Sequence, residues 1–429
     1  MYIDFLLERF HPLRRRRSLA ERDRADHQFR AGRAADAGPQ RRPECKFTEV
    51  SKVFDELRAI RIPQNPARQQ AAVKQKLALL EKLKEQLKAV IRYDDGPYIV
   101  NSLAMIGQAN QHMAASIYSV PVPKGLDEET LKQYKAGVDG VAKPFQDEAV
   151  KSYESAIERG IALEGYSDGM KTAQRELNRL NKDKFADFGE KAILTKLPDL
   201  MDADKEKEFE NAFRSKEESL IVEAVSRRLG KDQNDLKALN LLAVFYFQQG
   251  KLGMSRTILN RALKAHPDKA ALHNNLGVIF LSENKMRPAI ATFRKAMQID
   301  SDYEIGSANL GSIFVEYKDF ARAVDLLKEG YGAVKSDLKR GVGLDVANNY
   351  ALALSGTGDT SKAKSIYQDI LKVDSGNVVA LLNYSILLIH KLKDKKEGEK
   401  QLNRLKFLAE DDRTRKQIDE LDKALSETN

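Results

Sequence analysis

Residues 236–269 read LKALNLLAVFYFQQGKLGMSRTILNRALKAHPDK, and residues 270–303 follow as AALHNNLGVIFLSENKMRPAIATFRKAMQIDSDY. With residues 304–337 laid beneath them, Leu242-Ala243, Leu276-Gly277 and Leu310-Gly311 recur at a step of 34 residues. Other positions keep phase: Tyr246, Phe280 and Phe314; Ser255, Ala289 and Ala323; Leu259, Phe293 and Leu327; Ala262, Ala296 and Gly330. Small residues at positions 8, 20 and 27 of each unit let two antiparallel helices approach, and larger ones at 11 and 24 fill the space between them. One such pair cannot bury its apolar face alone, so the units must stack.

A fourth unit, 344–377, carries Tyr350-Ala351, Leu354, Ala363, Tyr367 and Ile370 after inserted residues that include Gly341 and Gly343. A fifth, 378–407, keeps Tyr384-Ser385, Leu388, Gly398 and Leu402 with one residue inserted, and 408–429 suit a polar capping helix. In spacing and residue type this array resembles the tetratricopeptide repeat. Its usual Trp at position 4 is replaced by Leu239, His273, Ser307, Ala347 and Leu381. The resemblance implies an all-α fold, an α-α superhelix, with protein binding rather than catalysis as its work.

The N-terminal half predicts helices of its own. Residues 46–92 carry Val73, Leu77, Leu80, Leu87 and Val90 at helical spacing, ended by Tyr93-Asp94-Asp95-Gly96-Pro97. Residues 93–187 read as a divergent, split repeat: Ile106-Gly107 pairs with Ala149, Tyr153 and Ala156 across a long insertion. Helices are expected at 98–118, 127–142, 144–160 and 165–181, and connecting helices over 188–235. The Ile106-Gly107 helix, the Pro121–Glu129 segment and the Pro144–Tyr153 helix together resemble repeat proteins of predatory and gliding bacteria, including envelope proteins of gliding machinery. That resemblance implies the periplasm or outer membrane of a Gram-negative cell; a cytoplasmic setting stays open.

Residues 1–45 hold 11 Arg, no Lys and a net charge of +4, within a chain of 429 residues and net +9. They read as a disordered Arg-rich extension, which a start codon assigned too far upstream would also produce. A basic arm using Arg14 to Arg17 for nucleic acid or anionic lipid is the alternative. Elsewhere the excess charge is too thinly spread for a nucleic-acid face. The longest apolar stretches, 238–247 and 386–389, fall short of the about 18 residues that a membrane span needs.

Catalytic and metal motifs are missing from the sequence. A lone Cys45 excludes a disulfide framework, and the six His form no metal-type pair. Gly356-Thr357-Gly358-Asp359-Thr360-Ser361-Lys362 lacks phosphate-loop spacing and falls where the repeat needs its turn. No cofactor is expected. The first helix of each unit should line a concave groove. Candidate contacts are Lys237, Asn240, Val244, Phe247, Asn274, Val278, Leu281, Ser312, Asn348, Leu352 and Ile386, with a row of Asn at position 6: Asn275, Asn309, Asn349 and Asn383. Those Asn can bond a bound peptide or one another. The groove is apolar with amide character, and an apolar or amphipathic-helical segment of a partner protein fits it. Members that clamp a terminal carboxylate use several Lys and Arg here. Only Lys237 qualifies, so a cytoplasmic chaperone adaptor is the weaker reading.

Overall fold

The computed structural model describes residues 43–63, 65–122, 125–201, 211 and 217–426. The proposed basic arm at Arg14 to Arg17 lies outside them. The described residues are all-α apart from loops and one extended segment, and they form two compact units divided between Ala186 and Asp187. No helix among them is long and apolar enough to cross a membrane.

The first unit contains α1 (Pro43–Ala59), α2 (Pro66–Ile91), α3 (Gly96–Tyr118), α4 (Glu128–Ala162) and α5 (Asp168–Leu180). Helix α1 begins at Pro43, so residues 43–45 are helical rather than part of the extension. Leu80, Leu83, Leu87 and Val90 of α2 pack on Val50 and Leu57 of α1 and on Ile106, Ala109 and Met113 of α3. Leu77, which the periodicity puts on that face, stays exposed. Helix α4 runs unbroken where the sequence predicts two helices. Pro144 sits inside it, so the Gly140 carbonyl loses its donor without ending the helix.

The second unit holds α6 (Glu218–Leu229) and five antiparallel pairs. These are α7 (Leu236–Gln248) with α8 (Leu252–Ala265), α9 (Ala270–Ser282) with α10 (Met286–Ile299), and α11 (Glu304–Glu316) with α12 (Phe320–Val334). Then come α13 (Gly343–Thr357) with α14 (Thr360–Val373), and α15 (Val378–Ile386) with α16 (Lys395–Leu408); α17 (Asp412–Ser426) follows.

Each inter-helix turn uses one device. A residue with positive φ closes the first helix: Gly250 (71°), Asn284 (58°), Lys318 (58°) and Gly358 (93°). The next N–H then bonds back five residues, as Lys285 N to Phe280 O at 2.8 Å and Asp359 N to Leu354 O at 2.9 Å. Gly358 is therefore the turn glycine between α13 and α14. In the fifth unit the inserted residue is absorbed as a π-helical turn, Leu387–Leu392, closed by Lys393 at φ 56°.

The small-on-large packing is direct. A Cβ on Gly277 would stand 2.6 Å from the Phe293 ring, and one on Gly311 would collide with Leu327. Gly107 meets Tyr153 in the same way, at 2.5 Å, although the two are 46 residues apart rather than 16. The α3–α4 pair is thus a repeat-like pair with its insertion carried in the long α4.

Candidate peptide-holding groove

The extended segment lies in the second unit. Residues 187–200, Asp-Phe-Gly-Glu-Lys-Ala-Ile-Leu-Thr-Lys-Leu-Pro-Asp-Leu, carry no helix, contrary to the connecting helices predicted over 188–235; α6 begins only at Glu218. They pass along the first helices of all five pairs, in the direction opposite to the repeat order.

Alternate residues of this strand are held by side-chain amides. Asp199 N donates to Asn275 Oδ1 at 2.7 Å, while Asn275 and Asn240 both donate to Asp199 O, at 2.9 and 2.8 Å. Leu197 N donates to Asn309 Oδ1 at 3.0 Å, and Asn309 and Asn274 donate to Leu197 O, at 2.9 and 3.0 Å. Asn349 pairs with both groups of Ile193, at 2.9 and 2.8 Å, and Asn383 with both groups of Lys191, at 2.8 and 2.9 Å. Asn suits this work because one planar amide offers an acceptor and two donors, which imitates the edge of a neighbouring strand; Asp could not donate.

The amides also bond each other across repeats. Asn275 donates to Asn240 at 2.7 Å, Asn309 to Asn274 at 2.8 Å and Asn383 to Asn348 at 3.2 Å. Each seat therefore combines position 5 of one unit with position 6 of the next. This explains why the rows end where they do: position 6 of the first unit is Leu241 and position 5 of the fifth is Leu382, both buried. The third unit has Ala308 at position 5, so Asn349 works alone there. The inserted residues 338–343 fall between the third and fourth units, and the strand spans that step with four residues instead of two. Ser312 fills the interval, its Oγ accepting from Thr195 N at 3.1 Å and from Thr195 Oγ1 at 3.2 Å.

The same Asn side chains thus bond one another and the chain's own extended segment. Asn240, Asn274, Asn275, Asn309, Ser312, Asn349 and Asn383 touch the strand, and Asn348 reaches Asn383 only. Val244, Val278, Leu281, Leu352 and Ile386 are buried, and Phe247 packs on the cluster formed by α7, α8 and α9. Lys237 is half-buried. In this structure the groove holds the chain's own extended segment rather than a helix. A helix satisfies its own N–H and C=O groups internally, whereas these amides need a backbone whose groups are unpaired.

Sequence reading misses the fastenings at the strand ends. Tyr303 donates its hydroxyl to Asp199 Oδ2 at 2.7 Å, and burial followed by the Asp199 charge pushes that phenol well above its ordinary range. Asp199 Oδ1 accepts from Met201 N at 2.8 Å, ending the strand in a left-handed residue at φ 54°. Leu200 packs against α6 and α7. At the other end Glu190 pairs with Lys391 at 3.4 Å, and Phe188 stacks on His390 at 4.0 Å. Gln417 of α17 donates to Gly189 O. Asp187 pairs with Lys318 at 2.8 Å; burial alone would raise this carboxyl, but Lys318 and the Gly189 N–H hold it below its ordinary value.

The energetics are finely balanced. Ordering two residues of backbone costs about 2–4 kcal/mol, and the two or three amide bonds at each seat return about 1–4 kcal/mol. Register is specified, with little surplus stability. Among the described residues no three His, Cys, Asp or Glu side chains gather as metal donors.

Comparison with known proteins agrees with the repeat. Residues 241–304 match the family described as Tetratricopeptide repeat. The chain is 26% identical over 192 residues to the BBSome complex member BBS4 of Bos taurus, covering 43% of this chain and 36% of that protein. It is 28% identical over 149 residues to BBS4 of Mus musculus, covering 33% and 27%. It therefore spans about a third of the length of these curated relatives. Among solved structures it is similar to YrrB, described as a TPR protein with an unusual peptide-binding site, at 15% identity and a TM-score of 0.38 over 44% of this chain and 95% of that one. Pseudomonas aeruginosa pilF gives 22% identity and a TM-score of 0.37 over 46% and 90%. PilW, described as a type IV pilus biogenesis factor, gives 13% and 0.39 over 44% and 86%.

Proposed function

We propose that this chain is a non-enzymatic repeat scaffold whose concave face holds extended segments of partner proteins within a multiprotein assembly. The observation that carries the reading is the bidentate pairing of Asn309 and Asn349 with both backbone groups of one strand residue each. Such a seat recognises any extended polypeptide that presents a free N–H and C=O in step. Membership of a complex is what the name of the BBS4 relatives states of them, and the proposal extends it to this chain. For the setting, the likeness of Pro121–Glu129 and Pro144–Tyr153 to envelope repeat proteins supports the Gram-negative cell envelope. Fractionation of cells making the tagged chain tests that part; recovery in the cytosolic fraction alone would remove it.

The scaffold reading is tested by photocrosslinking in the producing cell. A p-benzoylphenylalanine replaces Phe247, a half-buried aromatic at the groove end, or Phe407, which is 91% exposed on α16. The expected result is an adduct from position 247 to a non-helical segment of another protein, lost when Asn274 and Asn309 become Ala. Adducts to the chain's own residues 200–201 alone, or to partners from position 407 alone, would count against the groove.

A further inference from the structure

We infer that residues 187–201 are an internal placeholder: a tethered stand-in for the ligand that the Asn rows are built to hold, displaced by a partner strand of the same register. This rests on the scaffold reading and adds what occupies the groove at rest and what the replacement must look like.

Four observations carry it. First, the four Asn seats contact backbone, not side chains. The N–H groups of Ala192, Leu194 and Lys196 take no partner among the described residues, and the side chains of Leu194 and Lys196 are exposed. Along the middle of the strand one side-chain bond, from the buried Thr195 Oγ1 to Ser312 Oγ, adds to the backbone contacts. Second, the one residue that cannot donate, Pro198, stands at an unpaired position, between Leu197 and Asp199. A shift by one residue would put it where a seat demands an N–H, so Pro198 locks the register.

Third, the resting strand fits imperfectly. At the first two seats both amides donate to the same carbonyl, but at the last one only Asn383 reaches Lys191 O. The Nδ2 of Asn348 is left buried without a hydrogen-bond partner. A strand that settled one carbonyl against both amides there would complete the seat and outbid the placeholder. Fourth, recognition of charged side chains lies at the ends, where Lys391 meets Glu190 and Tyr303 meets Asp199, with the Thr195 hydroxyl on Ser312 between them. The partner is accordingly an extended segment of another protein, with carboxylates at its two ends, apolar residues between them, and no Pro at the five seated positions.

The test uses the full chain and a fluorescein-labelled synthetic peptide, DFGEKAILTKLPDLM, copied from residues 187–201. Replacing the segment by Gly and Ser would not empty the groove, because the seats hold backbone. The double variant Ile193→Pro/Leu197→Pro removes two seated donors and does. The variant should keep the wild-type helical circular dichroism and bind the peptide at least about tenfold more tightly than wild type. A peptide carrying Leu194→Pro, at an unseated position, should bind within about threefold of the parent, whereas Thr195→Pro should weaken binding at least about tenfold.

The inference is overturned if the variant loses its helical signal, since the strand is then a strut, or if it binds no more tightly than wild type. Equal binding of the two Pro peptides would also overturn it. So would a wild-type dimer in light scattering that the variant loses, which would assign the groove to a second copy. Failure here with partner adducts at position 247 intact removes the placeholder and leaves the scaffold. Success here without those adducts removes the scaffold reading instead.

Discussion

In the first unit Gly107 lies against Tyr153, and in the second Gly277 lies against Phe293; the two regions bring helices together by the same exchange of a side chain for a ring. They part in what they do with buried polarity. Lys76, fully buried, donates to the carbonyls of Leu57 and Ile60 at the end of α1, at 2.9 Å each, and Asn110 donates to Ile106 O of its own helix. Those groups close on their own neighbourhood. The Asn residues of the second unit stand in two rows and meet a strand separated from them by up to 192 residues. Shared packing therefore says nothing about shared function: the first unit presents a sealed polar interior and the second an edge that accepts backbone.

The largest effect tests what is common. Tyr153→Ala and Phe293→Ala each empty a fully buried ring site, and each should cost about 3–5 kcal/mol, read as a lowered urea midpoint by far-UV circular dichroism. Phe280, which the repeat also puts in the core, is only half-buried, and its truncation should cost clearly less. Equal losses at 280 and 293 would break the assignment of position 24 as the filled site. The next effect runs the other way across the same contact. Gly107→Ala and Gly277→Ala force a methyl against a ring and should each destabilise by about 1–3 kcal/mol. Pairing Gly277→Ala with Phe293→Leu should recover part of that loss, whereas two independent costs would add.

The polar difference is sharpened by removing one amide from each region. Asn309→Ala strips the acceptor from Leu197 N, one of two donors from Leu197 O and the donor from Asn274 Oδ1, and should cost about 1–2 kcal/mol. The local signature is faster hydrogen exchange at residues 191–199. Asn110→Ala removes a bond to a carbonyl already inside a helix, and its Oδ1 has no partner to lose, so the change should be close to neutral. A similar cost at both sites would erase the distinction between an edge and a closed interior.

Much of this was legible in the chain itself. The step from Leu242 to Leu276 to Leu310 is local and repeated, so it specifies the helix pairs, and Asn at positions 5 and 6 marks the concave face. The strand was not legible, because Ala192, Leu194, Lys196 and Leu197 favour helix in isolation and their extended state is set by side chains more than 75 residues away. One signal does point to it. Ile193 and Thr195 are β-branched at alternate positions, and Pro198 excludes a helix continuing through them. The Asn rows are the complementary clue, since buried amides in register require an unpaired backbone to satisfy them. The unbroken α4 escaped for the opposite reason: Pro144 signals a boundary locally, and packing of Ala149, Tyr153 and Ala156 overrides it.

The smallest expected effect is set by pH and separates the regions once more. His112 Nε2 lies 3.0 Å from Lys76 Nζ, whose other donors are spent on two carbonyls, so the imidazole must accept and therefore be neutral. Burial, then Lys76, then Arg58 push the His112 pKa below its ordinary value of 6.5. The unfolded chain takes up a proton near that value while the folded one resists it. Stability is thus full above about pH 6.5 and falls as the pH drops from there toward the depressed folded value. His112→Gln keeps an acceptor and removes the titration, so the protection of α1–α3 against hydrogen exchange, relative to the intrinsic rate at each pH, should no longer fall between pH 7.5 and 5.5. His390 is depressed as well, first by burial and then by Lys393, with Glu190 opposing. Because it stacks on Phe188, protection at the strand, relative to the intrinsic exchange rate, should still fall on acidification in the His112→Gln protein. If that variant flattened both regions, their polar interiors would be coupled and the contrast drawn between them would fail.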